Sequence, residues 1–370
     1  TKGIEFLFKK NKVTYIKGFG AFKDKNTISV TDDANNKKDY KFKNAIIATG
    51  SVPVSLPNIE IDEKIIVSST GALNLNSVPK KLVVIGAGYI GLEMGSVWLR
   101  LGSEVQVVEY LDYITPGMDR EVSDAFLKIL QKQGMQFNLS TKVIGVTKNK
   151  KGATVSVEKN VIKSDIDCDV VLMSVGRKPN TTGLNLDKIG VKLDSKGRVE
   201  TNHQYKTNLD NIYAIGDVIA GPMLAHKAEE EGIAVAEFLS GKYGHVNYDV
   251  IPGVIYKAPE VASVGKTEEQ IKEQKISYKV GKFPFAANAR AKVNDEGDGF
   301  VKILSDEKTD RVLGVHMIGP DVGNMIGEMC LAMEFGASSE DIARTCHAHP
   351  TLAEAIKEAA LAVDKRAIHF

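Results

Sequence analysis

Three observations in this 370-residue chain predict an α/β fold. Residues 81–93 read as a buried strand, a glycine turn and the start of a helix. A second strand, Ile212-Tyr213-Ala214-Ile215, ends in Gly216-Asp217 and leads into a helix pattern. From Tyr248 onward the composition changes, and strands alternate with helices in an α+β manner. Together they predict two Rossmann-like nucleotide-binding domains followed by a C-terminal α+β domain. The boundaries read as 1–50, 51–179, 180–247 and 248–370, with the first and third segments belonging to one domain.

The elements follow in order. A helix end opens the chain. Short strands come next: Val13-Thr14-Tyr15-Ile16, running into Gly18-Phe19-Gly20, and Thr27-Ile28-Ser29-Val30, followed by a polar turn at 32–38. Residues 42–48 form a strand that runs into Thr49-Gly50, whose small tip can lie against a ligand. Residues 80–180 form βαβ units. The glycine turn opens the first, and a helix over 119–134 carries Val122, Phe126, Ile129 and Leu130 at helical spacing. Residues 143–165 alternate like a β-meander, with Lys148, Lys150 and Lys151 in a solvated hairpin turn. The strand 169–176 ends in glycine and echoes 45–50, and each is followed by a proline, Pro179 and Pro53. A helix runs from 224 to 240 and is closed by Gly241. The last segment predicts strands at 253–256, 262–264, 278–284, 300–304 and 312–318, with helices at 267–275, 321–335, 339–345 and 351–363.

Composition narrows the function. Apolar residues make up 43% of the chain, enough for sizeable cores, and the net charge of +1 comes without a basic block of the kind that binds nucleic acid. No apolar run approaches the length of a membrane-spanning helix. The first residues lack the pattern of a secretory signal peptide, and the missing initiator Met suggests a processed or truncated product. Three cysteines, Cys168, Cys330 and Cys346, stand at no metal-binding or disulfide-framework spacing, which fits a reducing compartment and no metal site.

Three stretches carry chemistry. In the first, Gly86 permits a tight turn, Gly88 lets the backbone approach a pyrophosphate, and Gly91 lets helix and strand pack closely. The helix N-terminus offers free N–H groups to phosphate. Glu109, 18 residues after Gly91, ends the next apolar run; its carboxylate accepts ribose hydroxyls and repels a 2′-phosphate, which favours NAD over NADP. In the second, Asp217 at a strand's end can accept from polyol hydroxyls, and the helix N-terminus near Ala225 can stabilise charge on a flavin edge. Asp217 taken alone also suits a turn cap. In the third, His349 sits outside a helix start marked by Pro350, with Glu354 about a turn inside. A carboxylate on one ring nitrogen fixes the tautomer and makes the other a base able to deprotonate a thiol. The same residues also suit a capping histidine with an acid favouring the helix dipole, and the residues alone leave both open. His347 reads as structural.

These residues resemble a known family. From about Lys9 to the C-terminus the chain is similar to the flavoprotein disulfide reductases of the glutathione reductase type, and among them to the dihydrolipoamide dehydrogenases. The most specific pieces are residues 84–93, Tyr213-Ala214-Ile215-Gly216-Asp217-Val218, residues 221–229, residues 281–288 and Cys346-His347-Ala348-His349-Pro350-Thr351. The resemblance implies FAD and NAD as cofactors. It implies a homodimer in which His349 and Glu354 of one subunit serve the disulfide of the other. It also implies service to lipoyl domains and the core of 2-oxoacid dehydrogenase and glycine cleavage complexes, with no nucleic acid or membrane partner. Gly20, Thr49, Gly50, Ser51, Asp217, Met223, Leu224, Ala225 and His226 resemble flavin contacts. Gly86, Ala87, Gly88, Tyr89, Ile90, Gly91, Leu92, Glu93, Glu109, Val143 and Gly176 resemble the NAD site, with Tyr89 as a flap over the flavin. Glu93 resembles the family's acid near the flavin, which pairs with a lysine. The C-terminal domain is expected to dimerise.

One departure stands out. The family begins with its own GxGxxG for FAD and then two cysteines separated by four residues, and neither occurs in this chain. The lysine partner of Glu93 is absent with them. The chain therefore reads as the larger part of such an enzyme, with an incomplete FAD domain, and as inactive alone. Another NAD(P)-dependent disulfide reductase is the near alternative, but NADP-using members would carry arginines where Glu109-Tyr110-Leu111-Asp112 stands. A non-catalytic NAD-binding and dimerisation fragment is the alternative of a different class. The resemblance points to a mitochondrial matrix or a bacterial cytoplasm.

Overall fold

A computed structural model describes residues 2–370. The chain divides into two compact units: residues up to Val52 with Arg177–Val246, and Pro53–Gly176 with Asn247–Phe370.

In the second unit a parallel sheet has the strand order Ile66–Val67, Val170–Met173, Lys81–Ile85, Glu104–Val108, Gln136–Asn138. Its central strands are continuous apolar runs because both faces are covered, as parallel sheets require. Leu82, Val84, Val105 and Val107 turn one face toward Leu92 of the helix Tyr89–Arg100 and Phe126 of Arg120–Lys132. Val83, Ile85 and Val171 turn the other toward the meander Lys142–Asn149, Gly152–Lys159, Ile162–Cys168. The C-terminal segment builds a five-stranded antiparallel sheet, ordered Gly253–Ile255, Glu260–Gly265, Val312–Gly319, Phe300–Asp306, Tyr278–Pro284. Helices Val322–Glu334 and Glu354–Val363 contribute Met329, Ile356 and Ala359 to its core. A buried charge cluster joins the two halves of this unit: Lys302 Nζ lies 3.1 Å from both Asp119 oxygens, 3.1 Å from Glu121 Oε2 and 2.6 Å from Glu268 Oε2. Asp119 also caps Arg120–Lys132, accepting from Glu121 N–H at 3.1 Å.

In the first unit, strands Ala45–Ile47 and Ile212–Ala214 pair in parallel, and Phe19–Asp24, Thr27–Thr31 and Lys37–Lys41 form an antiparallel sheet. Ile47, Ile212 and Ala214 pack with Ala234 and Val235 of the helix Ala225–Leu239.

Three local expectations need correction. Residues 13–16 form no strand; Val13, Tyr15 and Ile16 are exposed, with no neighbouring strand to take up their backbone groups among the described residues. The stretch 42–48 supplies only the short strand Ala45–Ile47, because the polar turn is shorter than expected and a separate strand, Lys37–Lys41, precedes it. The last helix begins at Glu354 rather than 351; residues 351–353 form an irregular turn in which Thr351 N–H donates to the Glu354 carboxylate at 2.9 Å. The short helix Ala289–Asn294, capped by Asn288, was not anticipated. No helix among the described residues is long and apolar enough to cross a membrane.

Candidate functional site

The strand Lys81–Ile85 ends at Gly86, which adopts φ +100. A side chain there would meet Ser174 O at 2.5 Å, and one at Gly91 would meet Gly86 O at 2.3 Å. Gly88 is the opposite case: nothing lies within 4 Å of a Cβ placed on it, so the space beside it is open. It starts the helix Tyr89–Arg100 with no side-chain cap, leaving the first-turn N–H groups available to an anion. Glu109 closes the loop. Its Oε2 accepts from Ala87 N–H at 2.7 Å and its Oε1 from Leu111 N–H at 2.8 Å. The carboxylate thus stands beside the turn, where a ribose would meet it. Thr115 N–H donates to Ala87 O at 2.9 Å and ties down the far side. Gly176, at φ +120, also has open space around it, while Val143 packs against the core at the meander's edge.

Tyr89, Ile90 and Glu93 are half-buried on the same helix. Glu93 Oε1 accepts from Tyr256 N–H at 2.8 Å; burial outweighs that bond and pushes the carboxyl above its ordinary value. No lysine pairs with Glu93 among the described residues. Burial likewise raises the Tyr89 hydroxyl.

In the first unit, Gly216 takes φ +76 after the strand Ile212–Ala214 and passes into Asp217. Asp217 Oδ2 accepts from Ser51 Oγ at 2.5 Å. Thr49 Oγ donates to Asn180 O at 2.6 Å, and Gly50, at φ +69, faces open space. The helix Ala225–Leu239 starts after Leu224 with no side-chain cap, and Met223, Leu224 and His226 are half-buried around that start. The donor set suits a flavin nucleotide: a carboxylate for polyol hydroxyls, a glycine tip with room above it, and an open helix N-terminus for negative charge. Gly20 sits in the antiparallel sheet, opposite Val30.

Lys227 and Glu231, one turn apart on that helix, are fully buried and hold the turn from below. Glu231 Oε2 accepts from Gly216 N–H at 2.7 Å, and Lys227 Nζ donates to Gly216 O at 3.1 Å and Ala220 O at 3.3 Å. The two side chains pair at 3.0 Å. Their spacing in a glutamate-rich helix looks like an ordinary exposed i,i+4 pair, so nothing in the sequence marks their place.

His349 Nδ1 lies 2.9 Å from Glu354 Oε1 and 3.2 Å from Oε2. Burial works against the Glu354 charge, but the Thr351 N–H at 2.9 Å and His349 outweigh it and hold the carboxyl below its ordinary value. An ionised carboxylate only accepts, so Nδ1 carries the hydrogen, and in the neutral ring Nε2 is the nitrogen with the lone pair. The His349 side chain is 70% exposed and that nitrogen faces no protein partner among the described residues. His347 differs: its side chain is 5% exposed, Thr345 O lies 3.0 Å from Nδ1 and Glu328 Oε1 2.9 Å from Nε2, and Glu328 raises its pKa. Asn288 braces the loop, donating to Thr351 O at 3.0 Å. It stood in a recognised stretch without a role assigned. Burial pushes the Cys168 and Cys330 thiols up to about 11, which removes thiolate character.

The sequence pattern described as pyridine nucleotide-disulphide oxidoreductase matches residues 1–232, and the dimerisation domain of the same description matches 251–360. The chain belongs to the pyridine nucleotide-disulphide oxidoreductases. It is 58% identical to a protein of Pisum sativum named dihydrolipoyl dehydrogenase, mitochondrial, over 100% of this chain and 74% of that protein. It is 57% identical to a leghemoglobin reductase of Glycine max, over 100% of this chain and 71% of that one. The crystal structure of LpdA from Mycobacterium tuberculosis shares the fold, with TM-score 0.89 at 24% identity over 97% of this chain and 79% of that one. Members of this family use FAD and a pyridine nucleotide, and the C-terminal sheet with its helices is the family's dimerisation domain.

Proposed function

We propose that this chain serves the FAD-dependent oxidation of protein-bound dihydrolipoamide to lipoamide, with reduction of NAD. The carrying observation is His349: its Nδ1 is fixed by an ionised Glu354 and its Nε2 is open to a substrate thiol. Relatives of 55–58% identity named as dihydrolipoyl dehydrogenases support the reading. Bound FAD supplies two-electron transfer between a dithiol–disulfide couple and nicotinamide.

The residues divide the remaining work. His349 Nε2 takes the thiol proton, and Glu354 stabilises the imidazolium that results. Asp217, Ser51, Thr49, Gly50, Gly20 and residues 223–226 hold the flavin nucleotide. The turn Gly86–Gly91, with Ala87, Ile90, Val143 and Gly176, holds NAD; Leu92, expected among these contacts, instead packs in the core under the sheet and donates its N–H to Gly88 O at 3.1 Å, so it takes no part. Glu109 takes the ribose hydroxyls and excludes a 2′-phosphate. Tyr89 serves as a flap over bound nicotinamide, with Glu93 one turn further along the same helix. Assembly is as a homodimer in the mitochondrial matrix, docking lipoyl domains of 2-oxoacid dehydrogenase and glycine cleavage complexes.

Replacing His349→Gln tests the assignment. Dihydrolipoamide oxidation by the intact FAD-loaded enzyme, with the redox cysteine pair that this chain lacks, is expected to fall about 10²–10⁴-fold, the usual loss of a general base. Transfer from NADH to an artificial dye, which needs no thiol proton, is expected to stay within about twofold. Parallel loss of both activities refutes the role of His349.

A further inference from the structure

We propose that Arg177 is a positioning residue for the polyol-binding carboxylate, acting on Asp217 through Ser51. The inference rests on the reading of Asp217 as a flavin-nucleotide contact and adds a residue to it.

The geometry fixes the direction of every hydrogen. Arg177 Nε lies 2.7 Å from Ser51 Oγ, and Nη2 lies 2.7 Å from Ser51 O. A guanidinium only donates, so the Ser51 hydroxyl must accept from it. That hydroxyl has a single hydrogen, which then points at Asp217 Oδ2, 2.5 Å away. The bond is short, as expected when the acceptor is charged. With Oδ2 held, the other oxygen, Oδ1, takes no hydrogen bond from protein among the described residues and is presented in one orientation. Arg177 forms no ion pair of its own with a carboxylate among the described residues, so its positive charge bears on Asp217 across one hydroxyl. The fork spans a side-chain oxygen and a backbone oxygen of the same residue. A lysine could supply the charge but not both bonds at once.

The strands Ser51–Pro53 and Arg177–Pro179 also pair with each other, so a merely structural role for Arg177 is the competing account. Affinity for the cofactor separates the two. FAD titrations of the full chain, followed by flavin fluorescence, are run beside FAD analogues with single ribityl hydroxyls replaced by hydrogen. Arg177→Met and Ser51→Ala are each expected to weaken FAD about tenfold, the loss of one charge-assisted contact. The double variant is expected to be no weaker than the worse single one, because both break one chain of bonds. Arg177→Lys, which keeps the charge and spares the fold, is expected to lose most of the same affinity. For the analogue lacking the hydroxyl that Asp217 accepts, Arg177→Met is expected to bind as well as the parent protein. Full additivity of the two single losses, or an Arg177→Met effect of equal size on every deoxy analogue, overturns the proposal. If Asp217→Asn weakens FAD while Arg177→Met and Arg177→Lys do not, the relay fails and the flavin reading stands. If Asp217→Asn leaves FAD affinity unchanged, the flavin reading fails and the relay falls with it.

Discussion

The turn after Ile85 and the turn after Ala214 both follow a buried strand and lead toward a helix with no side-chain cap, yet they are secured by different means. The first relies on the absence of side chains. Gly86 and Gly91 sit where any Cβ would meet backbone oxygen at 2.5 Å or less, and the close approach itself defines the turn. The second is gripped by a pair of opposite charges, Lys227 and Glu231, which bind the N–H and the carbonyl of Gly216 from inside the core. A steric device has few variants and leaves a signature of glycines at fixed offsets. An electrostatic clamp can be built from many helices, because it needs only two long side chains one turn apart and a place to bury them.

The largest effect expected from this difference is at the clamp. Lys227→Met removes the cation 3.0 Å from Glu231 inside the core and should cost about 3–5 kcal/mol, read from denaturant unfolding. Adding Glu231→Gln removes the charge but keeps an oxygen for Gly216 N–H, and should return most of that loss. Without such a recovery, the pair is not the fastening of the turn.

At the steric turn the expected loss is smaller and no partner change repairs it. Gly91→Ala should cost about 1–3 kcal/mol, the usual penalty of an overpacked contact, because the atoms it meets are Gly86 O at 2.3 Å and Ser174 Oγ at 2.6 Å. Ser174→Ala on top should relieve little, since the backbone oxygen remains. A neutral Gly91→Ala would place the constraint elsewhere.

The smallest effect sharpens the electrostatic side. Lys257 is buried like Lys227, but its Nζ finds only the carbonyl of Ala258, at 2.8 Å, and no carboxylate among the described residues. Burial, aided by Arg100, lowers its pKa to about 8 from the ordinary 10.5. The folded state thus binds fewer protons than the unfolded chain between those values, and stability rises with pH across that window. Lys257→Met should abolish this rise and stabilise the protein by about 1 kcal/mol at pH 7, measured by thermal melts across pH. A pH profile the variant does not alter would show that Lys257 is hydrated after all.

How much could be read in advance follows the same division. The parallel strands, Glu109 beside the turn and the His349–Glu354 pair were legible because each depends on residues close in sequence or on a burial pattern repeated along a strand. The fold class stands as read, with two nucleotide-binding domains and a dimerisation domain. Residues 13–16 misled because alternation alone cannot say whether a neighbouring strand exists. The last helix starts later than Pro350 implied because Thr351 N–H is taken by the Glu354 side chain in a turn that precedes it. Lys227 and Asn288 stood in recognised stretches without a role, and Arg177 and Lys302 went unassigned, because each acts on a partner whose importance appears only once the chain has folded.

By itself, then, the sequence determined the βαβ order, the glycine turn with its acid and the apolar faces, since short-range sterics and chain periodicity are written in neighbouring residues. Tertiary structure alone decided which distant polar groups would meet: Lys302 with Asp119 across 183 positions of sequence, and Arg177 with Ser51 across 126. The cost of desolvating a charge is met only by a partner at the right distance, and that distance does not exist until the core has closed.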